Sequence, residues 1–445
     1  MALKRILSLA LVICATSASS TAYAVQNDFA DFKKKYQSKH KEYTDDYTQR
    51  YEVYKKELIE KWGVAELSSD TEYVTYSDDK SVKVIANFEN DTIEVNIQRD
   101  DQQGQITPEE EEVMVRDAIM EALNVAPKAA AKQNIEFAFT PAKNPQTALT
   151  LKPKKLAKKV SSKQDTLLKH LGINDGKELK SALTMVEEVP AEKQQAIVVA
   201  RTEKRLSQQI TQVEQFVERE ELPLKQKKRA QRKVAELNSQ LNELNQRQDI
   251  LTKKNIKSYK IQLKRDRFNK AEKYLSQVAM QANQWKVDQE VLLAIMETES
   301  HFNPMAKSHI PAYGLMQIVP STAGADVNKK IFSINKNPTP ELLFNGTKNI
   351  EYGSAYFNIL LTRYLKEVVN PTSRMYCAIA AYNTGIGNLA RAFNNGERGR
   401  MKAINKINKM TPEQVFEVIK TKTHTETQRY LIKVVNSTNY FAEHI

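Results

Sequence analysis

The residue best placed for chemistry is Glu299, which stands near the end of a predicted amphipathic helix. Asp288 is a plausible N-cap for that helix, and an apolar stripe through Leu292 and Ile295 predicts its buried face. Glu299 falls four residues after Ile295 and seven after Leu292, so it continues the stripe. Burial and the negative end of a helix dipole both favour the protonated form of a carboxyl group. Such a group is suited to donate a proton to a glycosidic oxygen.

The helix position alone is weak evidence, because a glutamate on a buried face is more often a tertiary cap or an ion-pair partner. Glu297 is two residues away and projects from a different face of the helix. The two carboxyl groups therefore do not form a close pair on this helix. The residues that follow Glu299 decide between these interpretations.

Four motifs occur in a fixed order in the C-terminal part of the chain. Glu299 opens the first, E-S-x-F-x-P-x-A-x-S, which ends at Ser308. The others are G-L-M-Q at Gly314–Gln317, A-Y-N-x-G at Ala381–Gly385 and E-T-x-x-Y at Glu426–Tyr430. In order and spacing this set resembles the soluble lytic transglycosylase domain, which has a lysozyme-like α-helical fold.

Two further stretches carry the same resemblance. Asn349 with Gly353 and Tyr356 resembles the intermediate helix of that family. The segment Asn370–Arg374, which leads into A-Y-N, resembles the membrane-bound lytic murein transglycosylase C subgroup more loosely. The resemblance implies an enzyme that cleaves the glycan strands of peptidoglycan.

The resemblance implies that one carboxyl group acts twice, and the first motif assigns this role to Glu299. The carboxyl group protonates the oxygen of the β-1,4 bond between N-acetylmuramic acid and N-acetylglucosamine. It then takes the proton from the muramoyl O6, which attacks C1 and closes a 1,6-anhydro ring. The usual glycosidase needs two carboxyl groups. This reaction does not, which agrees with the lack of a convincing second carboxyl group in the sequence.

The resemblance also implies a set of substrate-binding residues, namely Ser308, Met316, Gln317, Tyr382, Asn383, Glu426 and Tyr430. Gln317 suits an N-acetyl group because its amide can both donate and accept a hydrogen bond. Tyr382 is expected to hold either Glu299 or the sugar, and Ser308 either orients the substrate or caps its own loop. No metal or organic cofactor is implied, because the six histidines are scattered without metal-ligand spacing.

One loop departs from the family pattern. The residues before G-L-M-Q read Ile310-Pro311-Ala312-Tyr313, where the family usually has a glycine ahead of the alanine. Proline fixes φ and removes an N–H group. We therefore expect an altered loop on the leaving-sugar side of the cleft.

The elements that must position these motifs divide the chain near residue 266. From there the pattern is short helices joined by polar, glycine-containing loops, and this part holds all the chemical motifs. Residues 266–445 are therefore predicted to form the catalytic domain, and residues 25–265 an α+β accessory module. The expected fold class is mostly α.

The accessory module is expected to contain a small sheet. Alternating apolar residues predict a hairpin over residues 82–97, with a third strand at Glu72–Tyr76. The short apolar runs Ala196–Ala200 and Tyr259–Leu263 are expected to add strands to this sheet. A helix over residues 108–125 follows the hairpin, because Thr107-Pro108 and acidic residues suit a helix N-terminus.

Long helices make up the remainder of the module. An aromatic stripe predicts one helix over residues 26–62 that ends at Gly63. Residues 200–256 predict a helical hairpin that turns at Pro223. Residues 127–165 are rich in Lys, Ala and Pro and are interpreted as a solvated linker.

The first 24 residues predict a secretory signal, with a short basic start, an apolar run and a cleavage site after Ala24. Cys14 is interpreted as a filler of the apolar run, because Ile13 rather than a small residue precedes it. Lipidation at Cys14 is the alternative. We expect a periplasmic protein, which a lipid would associate with the outer membrane.

The formal net charge of +13 suits a substrate that carries carboxylates, as the peptides of peptidoglycan do. Nucleic acid would also suit a basic chain. The export signal and the lack of a basic motif studded with aromatic residues argue against a nucleic-acid partner.

Two alternatives to a lytic transglycosylase remain. The first is a non-catalytic wall-binding or scaffold protein, because the large N-terminal module has no chemical motif. The second is a muramidase that admits water and so leaves reducing ends instead of anhydro ends.

Overall fold

The computed structural model describes residues 53–98, 107–127, 165–183, 186–219, 224–246, 256–263, 265–308 and 312–445. Leu58–Asn134 and Leu151–Ile445 belong to one compact unit, which includes nearly all of the described residues. The predicted signal, most of the helix over 26–62, nearly all of the linker and Pro311 lie outside the described residues. Within those residues, none of the helices is long and apolar enough to cross a bilayer.

The small predicted sheet is confirmed, and it is antiparallel throughout. Its strands are β1 Glu72–Tyr76, β2 Val82–Asn87, β3 Thr92–Gln98, β4 Val186–Val189 and β5 Ile256–Gln262. They lie side by side in the order β1-β2-β3-β5-β4. The turn between β2 and β3 uses Asp91 at a positive φ of 54°, and Val84 pairs with Val95 across the hairpin.

Helices of the N-terminal part cover both faces of the sheet. They are α1 Pro108–Leu123, α2 Leu167–His170, α3 Gly176–Leu183, α4 Ala191–Arg219 and α5 Leu224–Gln246. Thr107 and Glu110 form a reciprocal capping box at the start of α1, which confirms that helix start. Helices α4 and α5 lie on either side of Pro223, as the predicted helical hairpin requires, and Gly63 ends the helical stretch 53–62 at a positive φ of 78°.

The prediction of a strand at Ala196–Ala200 was wrong, since these residues lie inside α4. The run Ile197-Val198-Val199 is too short to outweigh the helix-forming residues on both sides of it. The strand that pairs with β5 on that side is β4 instead. The predicted strand at Tyr259–Leu263 corresponds to β5.

One face of the sheet is apolar and the other is polar but also buried. Ile93, Val95 and Ile97 pack into the core beneath α1 to α3. On the opposite face, Gln194 donates hydrogen bonds to Glu94 at 2.7 Å and to Asn96 at 2.6 Å. Arg201 of α4 donates to Glu94 at 2.7 Å and to Glu66 at 3.0 Å. Charge pairing therefore holds α4 to the sheet, because buried carboxylates need such partners.

The C-terminal part is all helical apart from isolated bridges, as predicted, so the expected fold class, mostly α, is confirmed. Its helices are α6 Arg267–Glu272, α7 Leu275–Trp285, α8 Gln289–Ser300, α9 Ala325–Lys330, α10 Pro340–Leu343, α11 Gly346–Ile359, α12 Pro371–Thr384, α13 Ile386–Phe393, α14 Arg400–Ile407, α15 Pro412–Lys422 and α16 Thr425–His444. Two short π-helical turns, Pro320–Gly324 and Leu360–Tyr364, join them. Helix α8 is central, because every residue from Val291 to Met296 is buried.

The sheet, which precedes residue 266 in the chain, contacts the helices that follow residue 266. Lys270 Nζ lies 2.7 Å from a carboxylate oxygen of Asp91, in the turn between β2 and β3. Met305 and Phe344 belong to the apolar core that the sheet and α1 to α3 build. Asn303 donates a hydrogen bond to the carbonyl oxygen of Asp70 at 3.2 Å. The sheet therefore packs against the residues that directly follow Glu299.

A buried polar network joins α2 to the start of α7. His170 Nδ1 lies 2.6 Å from the Tyr274 hydroxyl, which donates to the carbonyl oxygen of Phe302 at 3.3 Å. His170 Nε2 lies 3.3 Å from Asp165. Burial lowers the pKa of His170 to about 4, and this effect outweighs the hydrogen bond to the Asp165 carboxylate, which raises it.

This shift predicts a loss of stability on acidification. An unfolded chain binds a proton at histidine near pH 6.5, whereas folded His170 stays neutral down to about pH 4. Between these two values the unfolded state binds more protons, so the free energy of unfolding falls as the pH falls. We expect a contribution on the order of 2 kcal/mol from this residue. The measurement is urea unfolding near pH 7 and near pH 4.5, for the wild type and for His170→Gln.

The informative quantity is the difference between the two pH values within each protein. Any general cost of the substitution cancels in it. His170→Gln should lose less stability than the wild type on acidification. An equal loss in both proteins would show that His170 does not drive the acid sensitivity.

Candidate active site

Glu299 lies in the last turn of α8 and is half-buried. Asp288 is the N-cap residue of this helix as predicted, although its side chain makes no capping hydrogen bond. His301 and Phe302, which follow the helix, both have positive φ angles, of 51° and 63°. This left-handed stretch turns the chain sharply after Glu299. Phe302 is buried in the core.

A tyrosine from the last helix of the chain contacts Glu299 directly. The Tyr430 hydroxyl donates a hydrogen bond to Glu299 Oε1 at 2.7 Å. Tyr430 lies in the second turn of α16, which packs along α8. The hydrogen bond fixes the orientation of the carboxyl group, and it stabilises the carboxylate form that follows proton donation.

Tyr382 lies beside the same carboxyl group but donates its hydrogen bond elsewhere. Its hydroxyl donates to the carbonyl oxygen of Met316 at 2.8 Å. Tyr382 was predicted to hold either Glu299 or the sugar. In the structure it is Tyr430, and not Tyr382, that donates the hydrogen bond to Glu299. Burial, and after it the negative charge of Glu299, raises the pKa of both Tyr382 and Tyr430 well above the usual value. Both hydroxyl groups are therefore protonated donors across the neutral range.

Asn383 and Glu426, two further predicted site residues, are hydrogen-bonded to each other and form the far wall of the site. Asn383 Nδ2 donates a hydrogen bond to Glu426 Oε1 at 3.1 Å. Thr427 donates to Asn383 Oδ1 at 2.7 Å. The Asn383 amide is thereby held between two residues of the first turn of α16. The sequence motif E-T-x-x-Y contains this threonine, which was not singled out as a site residue.

Buried Asn349 holds the G-L-M-Q loop in place. Asn349 Oδ1 accepts the N–H of Met316 at 2.7 Å, and its Nδ2 donates to the carbonyl oxygens of Tyr313 and Leu343, each at 2.7 Å. Met316 is fully buried against Gly353, where an added Cβ would lie 2.3 Å from the Met316 sulfur. The side chain of Met316 therefore lies below the cleft, and its carbonyl oxygen binds Tyr382.

Gln317 and Ser308 are both engaged within their loops. Gln317 Nε2 donates to the carbonyl oxygens of Ala306 and Gly314, at 3.1 and 2.9 Å. Ser308 Oγ accepts the N–H of Ala312 at 3.2 Å. The serine thus makes the loop-capping contact that was one of its two predicted roles. Both side chains fix the shape of the loops that follow Glu299.

Glu297 is not part of this group. It accepts hydrogen bonds from Arg267 Nε at 2.7 Å and from Ser437. Burial raises its pKa, but the hydrogen bonds and the Arg267 charge outweigh burial and hold the pKa below the usual value. Glu297 therefore joins α6 and α16 to α8, which agrees with its predicted position on a different face.

The structure brings Glu299, Tyr382, Asn383, Glu426 and Tyr430 together, although they come from three separate helices. Glu426, which was predicted to bind the substrate, is thus a second carboxyl group close to the site. Among the residues that the structure describes, no three His, Cys, Asp or Glu side chains are grouped as metal ligands are. A cavity of about 700 Å³ lies between the sheet, α4 and α8, and Thr298 and His301 line it, whereas Glu299 and Tyr430 do not.

A comparison with protein families decides the assignment. Residues 276–405 match the family described as the transglycosylase SLT domain. This segment is therefore similar to the SLT domain family. The match includes Glu299, Gln317, Tyr382 and Asn383, whereas Tyr430 lies beyond its end although its hydroxyl binds Glu299.

Curated relatives agree with this assignment. The membrane-bound lytic murein transglycosylase C of Histophilus somni (strain 2336) is 44% identical over 166 residues, which cover 37% of this chain and 45% of the relative. The protein of the same name from Sodalis glossinidius (strain morsitans) is 44% identical over 183 residues, covering 41% of this chain and 50% of the relative. The chain thus spans about half the length of the curated relatives it matches.

Among solved structures, the 70 kDa soluble lytic transglycosylase of Escherichia coli is 26% identical to this chain. That likeness covers 38% of this chain and 24% of the other, with a TM-score of 0.29. The SLT assignment therefore rests on the family match and on the curated relatives.

Proposed function

We propose that this protein is a peptidoglycan lytic transglycosylase and that Glu299 is its catalytic acid and base. The observation that carries the proposal is the Glu299–Tyr430 pair at 2.7 Å, within a site that joins the segment similar to the SLT domain to α16. A carboxyl group that is half-buried and held by a neutral hydroxyl is suited to give up and regain one proton.

In the proposed first step, Glu299 protonates the oxygen that links N-acetylmuramic acid to N-acetylglucosamine. The bond to C1 breaks as positive charge develops on the sugar, and the acetamido group of the substrate stabilises that carbon. The Tyr430 hydrogen bond stabilises the carboxylate that this step leaves behind.

In the proposed second step, the Glu299 carboxylate accepts the proton of the muramoyl O6 while that oxygen bonds to C1. The products are a 1,6-anhydromuramoyl end and a free N-acetylglucosamine end, and no water is consumed. We assign the substrate contacts to Ser308, Gln317, Tyr382, Asn383, Glu426 and Tyr430, with Met316 acting through its carbonyl oxygen. In this proposal the catalytic domain spans residues 266–445, and the protein works in the periplasm, either free or associated with the outer membrane.

Because Glu426 is a second carboxyl group, an alternative reaction has to be considered in which a carboxylate attacks C1 in place of the muramoyl O6. In a retaining glycosidase, a second carboxylate about 5 Å away attacks the sugar. Glu426 instead accepts a hydrogen bond from Asn383 and lies on an exposed part of the wall. We therefore assign it to binding the substrate rather than to attack on C1.

The product identifies the reaction. Purified sacculi digested with the wild-type protein are expected to release muropeptides with 1,6-anhydro ends, which mass spectrometry distinguishes from reducing ends by the mass of one water molecule. Reducing ends as the main product would show a muramidase instead. Binding to sacculi without release of any muropeptide would support the wall-binding alternative.

A further inference from the structure

The two residues that follow α8 adopt a backbone conformation that most side chains avoid. His301 and Phe302 have positive φ angles, of 51° and 63°, although neither is glycine. Such left-handed residues cost free energy, and they persist only where their surroundings hold them. We call His301 and Phe302 the left-handed turn. It begins two residues after Glu299, so the groups that hold it also fix where α8 ends and where the Glu299 carboxyl group points.

The left-handed turn is held from one side by Tyr274, the N-cap residue of α7. The Tyr274 hydroxyl donates a hydrogen bond to the carbonyl oxygen of Phe302 at 3.3 Å. The two rings are stacked, with centroids 6.0 Å apart and an angle of 16° between their planes. The Phe302 ring also meets the Phe441 ring of α16 edge-on, at 6.2 Å between centroids. Tyr274 thus adds a hydrogen bond to an otherwise apolar contact.

The Tyr274 hydroxyl is itself positioned by the N-terminal part of the chain. His170 Nδ1, at the end of α2, lies 2.6 Å from this hydroxyl. Both residues are buried, so water does not compete for the contact. Asp165 lies 3.3 Å from His170 Nε2 and holds the other side of the imidazole ring. A series of contacts therefore runs from α2 through Tyr274 to the turn that follows Glu299.

Two further hydrogen bonds link the N-terminal part to the segment beyond the left-handed turn. Asn303 donates to the carbonyl oxygen of Asp70 at 3.2 Å, and the Lys307 N–H donates to the carbonyl oxygen of Ser69 at 3.2 Å. Both contacts act on residues that come after the turn. The Tyr274 contact differs from them because it reaches a residue of the turn itself, three positions from Glu299.

We propose that Tyr274 is a positioning residue for Glu299 and that His170 acts through Tyr274. The inference rests on the proposed function, because it takes Glu299 to be the catalytic acid and base. The Tyr274 hydroxyl holds the left-handed turn, and the turn holds the end of α8 that carries the carboxyl group. The N-terminal part of the chain thereby contributes to the orientation of the acid without touching the reacting atoms.

This geometry predicts different effects on the two kinetic constants. The proposed sugar contacts of the far wall lie on α12 and α16, whereas the left-handed turn follows α8. Loss of the Tyr274 hydroxyl should therefore shift the Glu299 carboxyl group and leave those sugar contacts in place. A displacement of about 1 Å at a reacting group can lower a rate on the order of a hundredfold. Because Tyr430 still binds Glu299, we expect kcat to fall only about tenfold, at an unchanged KM.

The test is Tyr274→Phe in the full chain, which removes the hydroxyl and keeps the stacked ring. Both kinetic constants are measured on soluble glycan strands from the chain ends released, well below the unfolding temperature of each protein. Tyr76→Phe is the matched control, because the buried Tyr76 hydroxyl also donates to a backbone carbonyl oxygen, that of Glu66, at 2.9 Å. The control should lose similar stability and keep the wild-type kcat. Equal losses of kcat in both variants would overturn the proposal.

His170 is tested with a pair of variants. Asparagine can place a polar atom where His170 Nδ1 lies, whereas leucine cannot. His170→Asn should therefore keep most of the wild-type kcat, and His170→Leu should lower kcat about fivefold, the size of one lost hydrogen bond. Adding His170→Leu to Tyr274→Phe should lower kcat no further, because both changes break the same series of contacts. Losses that multiply would show that His170 does not act through Tyr274.

The wild type separates a failure of this inference from a failure of the proposed function. Turnover by the wild type with an unchanged kcat in Tyr274→Phe would overturn the positioning role and leave the proposed function in place. A higher KM at an unchanged kcat would overturn it as well, because Tyr274 would then serve substrate binding. If the wild type released no chain ends, the proposed function itself would be refuted.

Discussion

Replacing Glu299 with glutamine is expected to reduce the release of anhydro muropeptides from sacculi by about 10⁴-fold. Glutamine keeps the size of the side chain but neither donates nor accepts the proton, and the proposed reaction uses Glu299 in both steps. Residual turnover would come from substrate positioning alone. The measurement is the rate of muropeptide release at saturating sacculi, with thermal unfolding recorded for each protein.

Glu426→Gln is the matched comparison, because it removes the other carboxyl group of the site and keeps its size. Asn383 and Tyr430 remain, so we expect only about a tenfold loss, the usual size of one lost contact to a charged group. If Glu426→Gln were as inactive as Glu299→Gln, the reaction would use two carboxyl groups, as ordinary glycosidases do. If Glu299→Gln kept wild-type activity, the assignment of the acid would be wrong.

Replacing Gly314 with alanine is expected to lower the free energy of unfolding by roughly 3 kcal/mol, from the left-handed backbone and the overpacking together. Gly314 has a φ of 75°, and an added Cβ would lie 2.4 Å from both Asn349 Nδ2 and the carbonyl oxygen of Leu343. One of these contacts is with backbone, which cannot rotate away. Urea unfolding of the variant and of the wild type gives the difference.

Gly314→Ala should also lower the activity of the protein under conditions in which it is still folded. Gly314 accepts a hydrogen bond from Gln317, and the same loop offers the Met316 carbonyl oxygen to Tyr382. Gly387→Ala is the control, since a Cβ there meets no atom within 4 Å and Gly387 lies in α13 at an ordinary φ. The control should be as stable as the wild type or slightly more stable. Similar losses in both variants would show that the G-L-M-Q loop is not constrained as described.

Much of the local structure was predictable because it depends on short-range patterns. Period-two alternation predicted the β2–β3 hairpin and β1, and the Thr107 signal predicted the start of α1. The errors occurred where distant packing decides the outcome. Ala196–Ala200 is helical although its apolar run suits a strand, and the second face of the sheet is buried under Arg201 although its residues are polar. A local pattern shows which side of an element is apolar, but not what covers the other side.

The candidate site shows the same division. Glu299 was placed on its helix by spacing alone, and the order of the motifs assigned its neighbours. The sequence could not show that Tyr430 rather than Tyr382 binds the carboxyl group, because that depends on how α8, α12 and α16 pack together.

By itself, the sequence determined the residue types of the site, because the chemistry requires a carboxyl group, amides and hydroxyl groups in a fixed order along the chain. Tertiary structure decided which of these groups touch each other. Tyr430 lies 131 residues from Glu299 and yet donates to it at 2.7 Å. Tertiary structure also placed His170 against Tyr274, although 104 residues separate them in the chain. Contacts between distant helices follow from the packing of apolar surface into a shared core, which no local spacing specifies.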